Sequence, residues 1–164
     1  MVNKKRLEKG YKPINIGIGI NTGFMALGTI GEEERMETTV ISDAVNQAAR
    51  MESLTKTYGA KILLSLGTLN SINAPDKYSY RLVDVINLRG KNEPTFVIEL
   101  LDCLPDEEKN LKMKTKPELE KAISFFRDNK VKESYEILNN LLEINTNDAV
   151  LKIYISKCED LLKK

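Results

Sequence analysis

The feature that most constrains the fold is a change of sequence character near residue 101. Before it, short runs of β-branched and other apolar residues are separated by glycines, with one clear helical segment among them. After it, apolar residues recur every three or four positions, which is the spacing of amphipathic helices. This order predicts an α+β fold, in which a sheet with helices on one face is joined to an all-helical tail.

Six strands are predicted in the first part, at residues 14–20, 24–30, 38–41, 61–65, 80–88 and 95–101. Residues 21–23, Asn-Thr-Gly, are expected to form a tight hairpin connection between the first two strands, and residues 31–35 a charged turn. A helix is predicted from residue 42 to about residue 54, with Ser42 or Asp43 as its N-cap.

Residues 102–116 are polar and rich in lysine, and we predict that they form a linker. Pro117 follows, at a position typical of a first helical turn. Three amphipathic helices are expected after it, with apolar positions at Leu119, Ile123, Phe126, Val131, Tyr135, Leu138, Leu141, Leu142, Val150, Ile153, Tyr154 and Leu161. The predicted organisation is therefore a partial domain at residues 1–101, a linker at 102–116 and a helical tail at 117–164.

The absence of histidine excludes several kinds of active site. It removes the commonest general base, the commonest zinc ligand and the Ser-His and Cys-His nucleophile arrangements. Any metal would need oxygen ligands, so a hard cation such as Mg²⁺ or Mn²⁺ is expected.

The charge and hydropathy patterns restrict the partners and the location. The net charge is +1, from 25 basic and 24 acidic residues. The chain therefore has no overall positive potential that would attract nucleic acid or anionic lipid. No apolar run approaches the roughly 20 residues that span a bilayer. Two cysteines form no disulfide framework. We expect a cytoplasmic location, either as a separate protein or as the cytosolic end of a larger membrane receptor.

Glycines at positions 17, 19 and 23 have the wrong spacing for a dinucleotide-binding fingerprint. We interpret them as glycines that allow close packing of strands and a turn. A longer pattern is more specific. Residues 16–23, 28–31, 39–50 and 88–94 together resemble the class III adenylate and guanylate cyclase catalytic domain.

The resemblance covers about residues 12–101 and corresponds to the C-terminal half of that domain. It implies part of a ferredoxin-like cyclase sheet and an activity that converts ATP, or GTP, into a cyclic nucleotide and pyrophosphate. The sequence departs from the family pattern at Asn21, Ser42 and Ala44, where histidine, glycine and threonine are usual. None of these three positions carries the family's chemistry.

The resemblance also implies roles for five residues. Asn46 and Arg50 fall on the family's transition-state pair, and their spacing puts them about 40° apart on a helix. Thr39 falls at the position that helps to recognise the base, and threonine there resembles adenine-selective members. Arg89, with Lys91 close by, falls where a basic residue contacts the terminal phosphates.

Each assignment has a structural alternative that the sequence leaves open. Asn46 and Arg50 could be a solvated helix surface, Thr39 an ordinary strand residue, and the basic pair an ordinary turn. Asp43 fits a helix cap better than a metal ligand.

The resemblance further implies two cations, Mg²⁺ or Mn²⁺, that two aspartates hold upstream of residue 16 in a site shared by two subunits. Residues 1–15 contain no aspartate, and Glu8 is their only carboxylate. We therefore expect no metal site in this chain, no cyclase activity of the chain alone, and a truncation of a longer cyclase. We also expect a homodimer or a pairing with another cyclase domain. The missing strands would leave a sheet edge and an apolar face, to be covered by a partner, a swapped dimer or the tail.

The tail resembles one tetratricopeptide-type helix pair followed by a capping helix, with a simple helical bundle as the alternative. The sequence leaves three functions open. The first is the C-terminal part of a class III cyclase. The second is a non-catalytic cyclase-like module for dimerisation, regulation or interaction, and the third is one half of a complementing pair whose other half supplies the aspartates.

Overall fold

The computed structural model describes residues 2–32, 35–87 and 93–163, with the backbone alone for residues 29–32 and 35–41. In chain order the elements are α1 (Val2–Glu8), β1 (Ile18–Ile20), β2 (Ala26–Glu32), β3 (Arg35–Ile41), α2 (Asp43–Tyr58), β4 (Ile62–Ser65), α3 (Leu66–Asn70), a 3₁₀ turn (Pro75–Lys77), β5 (Tyr80–Ile86), β6 (Thr95–Leu100), α4 (Asp106–Arg127), α5 (Val131–Ile144) and α6 (Ala149–Leu162).

Four strands form the main sheet, in the order β1-β4-β6-β5, and β2 and β3 form a separate two-stranded sheet. Strand β1 runs parallel to β4, whereas β6 is antiparallel to both β4 and β5. The predicted α+β class is confirmed. The predicted pair of final strands is also confirmed, and it contains a register shift between Leu82 and Asp84.

The predicted hairpin between the first two strands is wrong. Strand β1 pairs with β4, and β2 pairs with β3 along its whole length. Residues 21–23 do not close a hairpin because long-range contacts hold them. The Asn21 amide donates to the Ala44 carbonyl oxygen at 3.3 Å, and the Thr22 N–H donates to Thr68 Oγ1 at 2.9 Å. Of the predicted charged turn at residues 31–35, Gly31 and Glu32 belong to β2 and Arg35 to β3, with Glu32 paired to Arg35, and residues 33 and 34 lie outside the described residues.

Helix α2 begins where predicted but is longer, ending at Tyr58. Ser42 is its N-cap, and Ser42 Oγ accepts a hydrogen bond from the Ala44 N–H at 3.0 Å. Gly59 ends the helix in the left-handed conformation, with φ of 62°, and its N–H donates to the Thr55 carbonyl oxygen. A left-handed residue with no Cβ is a favourable helix terminus.

The predicted linker at 102–116 is wrong for most of its length, since residues 106–127 form the single helix α4 with Pro117 inside it. A proline in a helix removes one backbone hydrogen bond. That loss is offset here because α4 buries Lys112, Thr115 and Leu119 on the inner side, on both sides of the proline. Acidic residues in the first turn also favour the helix N-terminus at residue 106. The three predicted tail helices are confirmed, and the division into domains stays a prediction.

One apolar core joins the sheet to the tail. From α2 and the sheet it contains Met51, Tyr58, Ala60, Leu63, Val83 and Val97, and from the tail Leu119, Ala122, Ile123, Leu138, Leu141, Val150, Leu151, Tyr154, Ile155 and Cys158. The tail therefore covers one face of the sheet. The short helix α3 packs on the opposite face, in a smaller cluster of Leu64, Leu69 and Ile98. Among the described residues, no helix combines the length and the apolar character needed to cross a membrane.

Candidate functional site

Helix α2 carries Asn46 and Arg50 on its outer surface, and both side chains are exposed. The inner surface is formed by Ala44, Gln47, Met51, Thr55 and Tyr58, at the three- and four-residue spacing of an amphipathic helix. The two predicted transition-state residues therefore share one solvent-facing side of α2, one turn apart, as their spacing predicted.

The glycines of residues 16–23 explain why α2 lies so close to β1. A Cβ on Gly19 would lie 2.1 Å from the carbonyl oxygen of Ala48 and 2.3 Å from the backbone nitrogen of Glu52. A Cβ on Gly17 would lie 1.9 Å from Thr55 Oγ1. These glycines therefore allow close packing, but against α2 and not between strands as predicted. Gly19 accommodates the backbone of α2, and Gly17 accommodates the Thr55 side chain. They set the height of the helix above the sheet.

The first turn of α2 is fixed by polar contacts. Ser42 Oγ donates to the carbonyl oxygen of Phe24 at 2.5 Å while it caps the helix, and so ties the helix start to the segment before β2. Asp43 Oδ2 accepts a hydrogen bond from Gln47 Nε2 at 2.6 Å. Ser42, and not Asp43, therefore fills the capping role, and Asp43 stabilises the same turn through its side chain.

The other predicted site residues are not brought together with this pair by any described side-chain contact. Thr39 lies in β3, where its backbone pairs with that of Gly28 on β2. Arg89 and Lys91 lie outside the described residues. The roles of Thr39, Arg89 and Lys91 stay predictions.

A polar cluster beside α2 was not predicted. Ser65 Oγ donates to Asn21 Oδ1 at 2.7 Å and lies 2.9 Å from Thr68 Oγ1, which also receives the Thr22 N–H. Asn21, Thr22 and Ser65 line a cleft of about 380 Å³ that also contains Gln47. Because the partners are more than 40 positions apart in sequence, no local pattern could have indicated the cluster. It holds Asn21 and Thr22 against the end of β4 and against α3.

A second unpredicted cluster surrounds Asp84 on β5. The register shift between Leu82 and Asp84 places the Asp84 side chain on the face of the sheet that packs against the tail. Tyr58 on α2 donates to Asp84 Oδ2, Tyr154 on α6 donates to Asp84 Oδ1 at 2.6 Å, and Lys157 Nζ lies 3.5 Å from Asp84 Oδ2. Burial acts to raise the pKa of Asp84, but the two hydroxyl donors and Lys157 hold that pKa below its usual value. Burial, reinforced by the carboxylate, raises the pKa values of both tyrosines.

A third cluster contains four buried charges between the sheet and the tail. Arg81 on β5 donates through Nε to Glu99 Oε2 at 2.7 Å and through Nη1 and Nη2 to the carboxylate of Asp148. Lys112 on α4 donates to Glu99 Oε1 at 2.8 Å. Burial acts to lower the pKa of Arg81, but the two carboxylates raise that pKa, so the guanidinium stays charged.

Within residues 2–32, 35–87 and 93–163, no group of three or more cysteine, aspartate or glutamate side chains is arranged to hold a metal ion. Residues 2–15 contain no aspartate, so they do not fit the two upstream aspartates of the cation site that the cyclase resemblance implies. What the described site offers is an amide and a guanidinium on an exposed helix face.

The family model described as "Adenylate and Guanylate cyclase catalytic domain" matches residues 1–100 of the 164. The chain belongs to this family. A terminal-differentiation specific adenylate cyclase of Dictyostelium discoideum is 34% identical over 154 residues, and an adenylate cyclase of Anabaena cylindrica is 40% identical over 94 residues. These matches cover 93% and 57% of this chain, but only 7% and 19% of the relatives' own lengths.

Two solved structures are similar to parts of this cyclase-family chain. The guanylyl cyclase Cya2 is 29% identical, with a TM-score of 0.49 over 61% of this chain and 49% of that one. The adenylyl cyclase CyaB from P. aeruginosa is 31% identical, with a TM-score of 0.48 over 63% of this chain and 50% of that one. The Dictyostelium match is longer than the 100 residues of the family match, so it includes residues of the helical tail.

Proposed function

We propose that this chain supplies the Asn46–Arg50 half of a class III cyclase site that converts ATP into cyclic AMP and pyrophosphate. The observation that carries the proposal is the exposure of both side chains on one face of α2, within the part of the chain that matches the family. The glycine-dependent packing of α2 on β1 fixes the position of that face.

The proposed chemistry is an internal displacement at phosphorus. The 3′-hydroxyl oxygen of the ribose bonds to the α-phosphorus, the bond from that phosphorus to the bridging oxygen of the β-phosphate breaks, and pyrophosphate leaves. The proton of the 3′-hydroxyl passes through solvent to the released pyrophosphate. Negative charge develops on the oxygens of the transferring phosphate. The guanidinium of Arg50 can donate two hydrogen bonds to such oxygens. The amide of Asn46 can orient the ribose, and neither group is consumed.

A second cyclase domain would complete the site and supply the carboxylates that hold Mg²⁺ or Mn²⁺ in this family. Exposed apolar side chains lie next to the start of α2. Phe24, whose carbonyl oxygen accepts from Ser42, is fully exposed, and Met25 and Val45 are exposed as well. Exposed apolar residues beside a polar site favour a protein–protein contact. We therefore propose a pairing with another cyclase domain as the catalytic arrangement. A homodimer of this chain would cover the same apolar residues but would not supply the two upstream aspartates.

The remaining assignments rest on the family resemblance. Thr39 is proposed to favour adenine over guanine, which makes ATP the expected substrate. Arg89 and Lys91 are proposed to contact the terminal phosphates.

The test is a complementation assay. This chain is mixed with a cyclase domain of the same family that keeps its metal-binding aspartates but has its own asparagine and arginine of the pair replaced by alanine. Cyclic AMP formation from ATP and Mn²⁺ is then measured. We expect turnover by the mixture and none by either protein alone. Asn46→Ala or Arg50→Ala in this chain is expected to lower kcat by about 10²–10³-fold, the effect of losing one transition-state donor.

Ser53→Ala is the matched control for these two variants. Ser53 is exposed on the same helix, and its hydroxyl donates to the Ala49 carbonyl oxygen at 3.0 Å, so its loss leaves Asn46 and Arg50 in place. Full turnover by a mixture that contains the double variant Asn46→Ala, Arg50→Ala would show that the pair has no catalytic role. Turnover by this chain alone would show that no second domain is needed.

The exposed apolar residues also favour a second candidate, a non-catalytic cyclase-like subunit. That function predicts a stable pair in sedimentation velocity and no turnover in any mixture.

A further inference from the structure

Three elements meet at the carboxylate of Asp84. The last residue of α2, Tyr58, donates to one oxygen, and Tyr154 in the middle of α6 donates to the other oxygen at 2.6 Å. Tyr58 is 4% exposed and Tyr154 is 2% exposed, so water does not replace either donor. Asp84 thereby joins the end of the functional helix to the helical tail.

A direct contact accompanies this bridge. Gly59, which ends α2, lies so close to the first residue of α6 that an added Cβ would be 3.3 Å from the Cβ of Ala149. The ring of Tyr154 packs edge-on against Phe126 of α4, with 5.4 Å between ring centroids. The hydroxyl of Tyr154 is therefore held in position by apolar packing and does not depend on the hydrogen bond for its placement.

The length of α2 turns a small displacement at this end into a larger one at the site. Asn46 and Tyr58 are separated by about 18 Å along the axis, at 1.5 Å per residue. A rotation of about 3° at the last turn of α2 would move Asn46 by about 1 Å. A misplacement of about 1 Å can cost on the order of 10²-fold in rate.

We infer that Tyr154 is a positioning residue, which fixes helix α2 through Asp84 and so aligns Asn46 and Arg50 with the substrate. The C-terminal helices then belong to the catalytic unit. The inference rests on the proposed function for its catalytic consequence, but the link between α6 and α2 can be measured without turnover.

The test compares Tyr154→Phe with Tyr135→Phe in the full chain. The first variant removes the hydroxyl that reaches Asp84 and keeps the ring. The second removes a hydroxyl that donates to Glu159 Oε1 at 3.3 Å, between α5 and α6, and leaves α2 untouched. Tyr58→Phe breaks the same bridge from the α2 side and is the second test variant if Tyr154→Phe does not fold.

Two measurements are made on each variant. Amide hydrogen exchange is expected to become about tenfold faster in the last turns of α2 in Tyr154→Phe and to stay unchanged there in Tyr135→Phe. In the complementation assay, kcat is expected to fall by about tenfold in Tyr154→Phe, with KM for ATP unchanged, because the site is misaligned and not emptied.

Unchanged exchange in α2 would overturn the inference, and so would faster exchange with an unchanged kcat. If the wild-type mixture shows no turnover, the proposed function fails, and exchange alone then decides whether Tyr154 fixes α2.

Discussion

The buried charge cluster between the sheet and the tail offers the sharpest test of how this fold is held together. Its buried members are two cations and two anions, Arg81 and Lys112 against Glu99 and Asp148, so their charges sum to zero. Lys112 also forms an ion pair at 3.1 Å with Glu108, whose side chain is 47% exposed. The side chains of Arg81 and Glu99 are fully buried, and that of Asp148 is 1% exposed. Water cannot solvate the charges of Arg81, Glu99 and Asp148 where they lie, so each of them needs a partner of opposite charge within the cluster.

Asp148→Asn removes one charge and replaces one acceptor oxygen of the carboxylate with an NH2 donor. Asparagine is as good an N-cap as aspartate, so the bond that Asp148 Oδ1 accepts from the Val150 N–H can be kept. The amide oxygen can still accept one bond from Arg81. What remains is one uncompensated positive charge in the core, and breaking a buried pair in this way costs about 3–5 kcal/mol. At about 2–4 °C per kcal/mol for a chain of this size, Tm should fall by roughly 6–20 °C.

The assay is thermal and urea unfolding of the full chain, followed by circular dichroism. Asp106→Asn is the matched control, because Asp106 makes an ion pair with Lys109 at 2.8 Å but its side chain is 87% exposed. We expect only a small fall of Tm in that variant, about 1–4 °C, from the loss of an exposed ion pair and of one first-turn charge. A Tm for Asp148→Asn equal to that of Asp106→Asn would refute the reasoning.

A double variant separates charge imbalance from other causes of destabilisation. Arg81→Met combined with Asp148→Asn restores neutrality and leaves the pair of Glu99 and Lys112 intact. We expect it to be more stable than either single variant, since an apolar replacement of a buried ion pair is often neutral. Additive losses would mean that packing, and not charge balance, decides the outcome.

Two further predictions concern α2 and the tyrosines. Gly19→Ala should lower the free energy of unfolding by about 1–3 kcal/mol or more and abolish complementation, because the new Cβ would clash with the backbone of α2. Gly28→Ala is the control, since its Cβ would have nothing within 4 Å, and it should change neither the urea midpoint nor turnover. Burial raises the pKa values of Tyr58 and Tyr154 above their usual value near 10. Both side chains therefore contribute their full stabilisation below about pH 10, and that stabilisation decreases as the pH rises above this value toward the folded-state pKa values. Each tyrosine should contribute up to ~1.4 kcal/mol per pH unit to the loss of stability above about pH 10, and an equal slope in Tyr154→Phe would contradict the assignment.

The parts of the fold that local patterns specify could be predicted from the sequence. The polar residue Ser42 before an amphipathic run indicated the start of α2, and the i, i+4 spacing put Asn46 and Arg50 on one face. The apolar spacing after Pro117 indicated the three tail helices. The family resemblance gave these residues their proposed roles, which spacing alone could not do.

The parts that depend on long-range contacts could not be predicted. Strand β1 pairs with β4, some 44 positions away, and no pattern in residues 18–20 indicates that β4 is its partner. The lysine-rich stretch before Pro117 was interpreted as a linker because its composition is polar. Its helical state is stabilised by tertiary contacts of Thr115, which is buried, and of Lys112, whose partner Glu99 lies in the sheet. Propensity and composition were overridden by tertiary contacts in both cases.

The face of the sheet toward the tail gives a physical reason to treat the two as one folded unit. That face contains Arg81, Asp84 and Glu99 among its apolar residues. An apolar cover would leave Arg81 and Glu99 with only each other, and Asp84 with only Tyr58 and the Val85 N–H, at a cost of several kcal/mol. The tail supplies a matching charge at each point, Asp148 to Arg81, Lys112 to Glu99, and Lys157 with the Tyr154 hydroxyl to Asp84. A helical layer shifted by one turn would bring the same charges into the core unpaired, so the charges favour a single docking register.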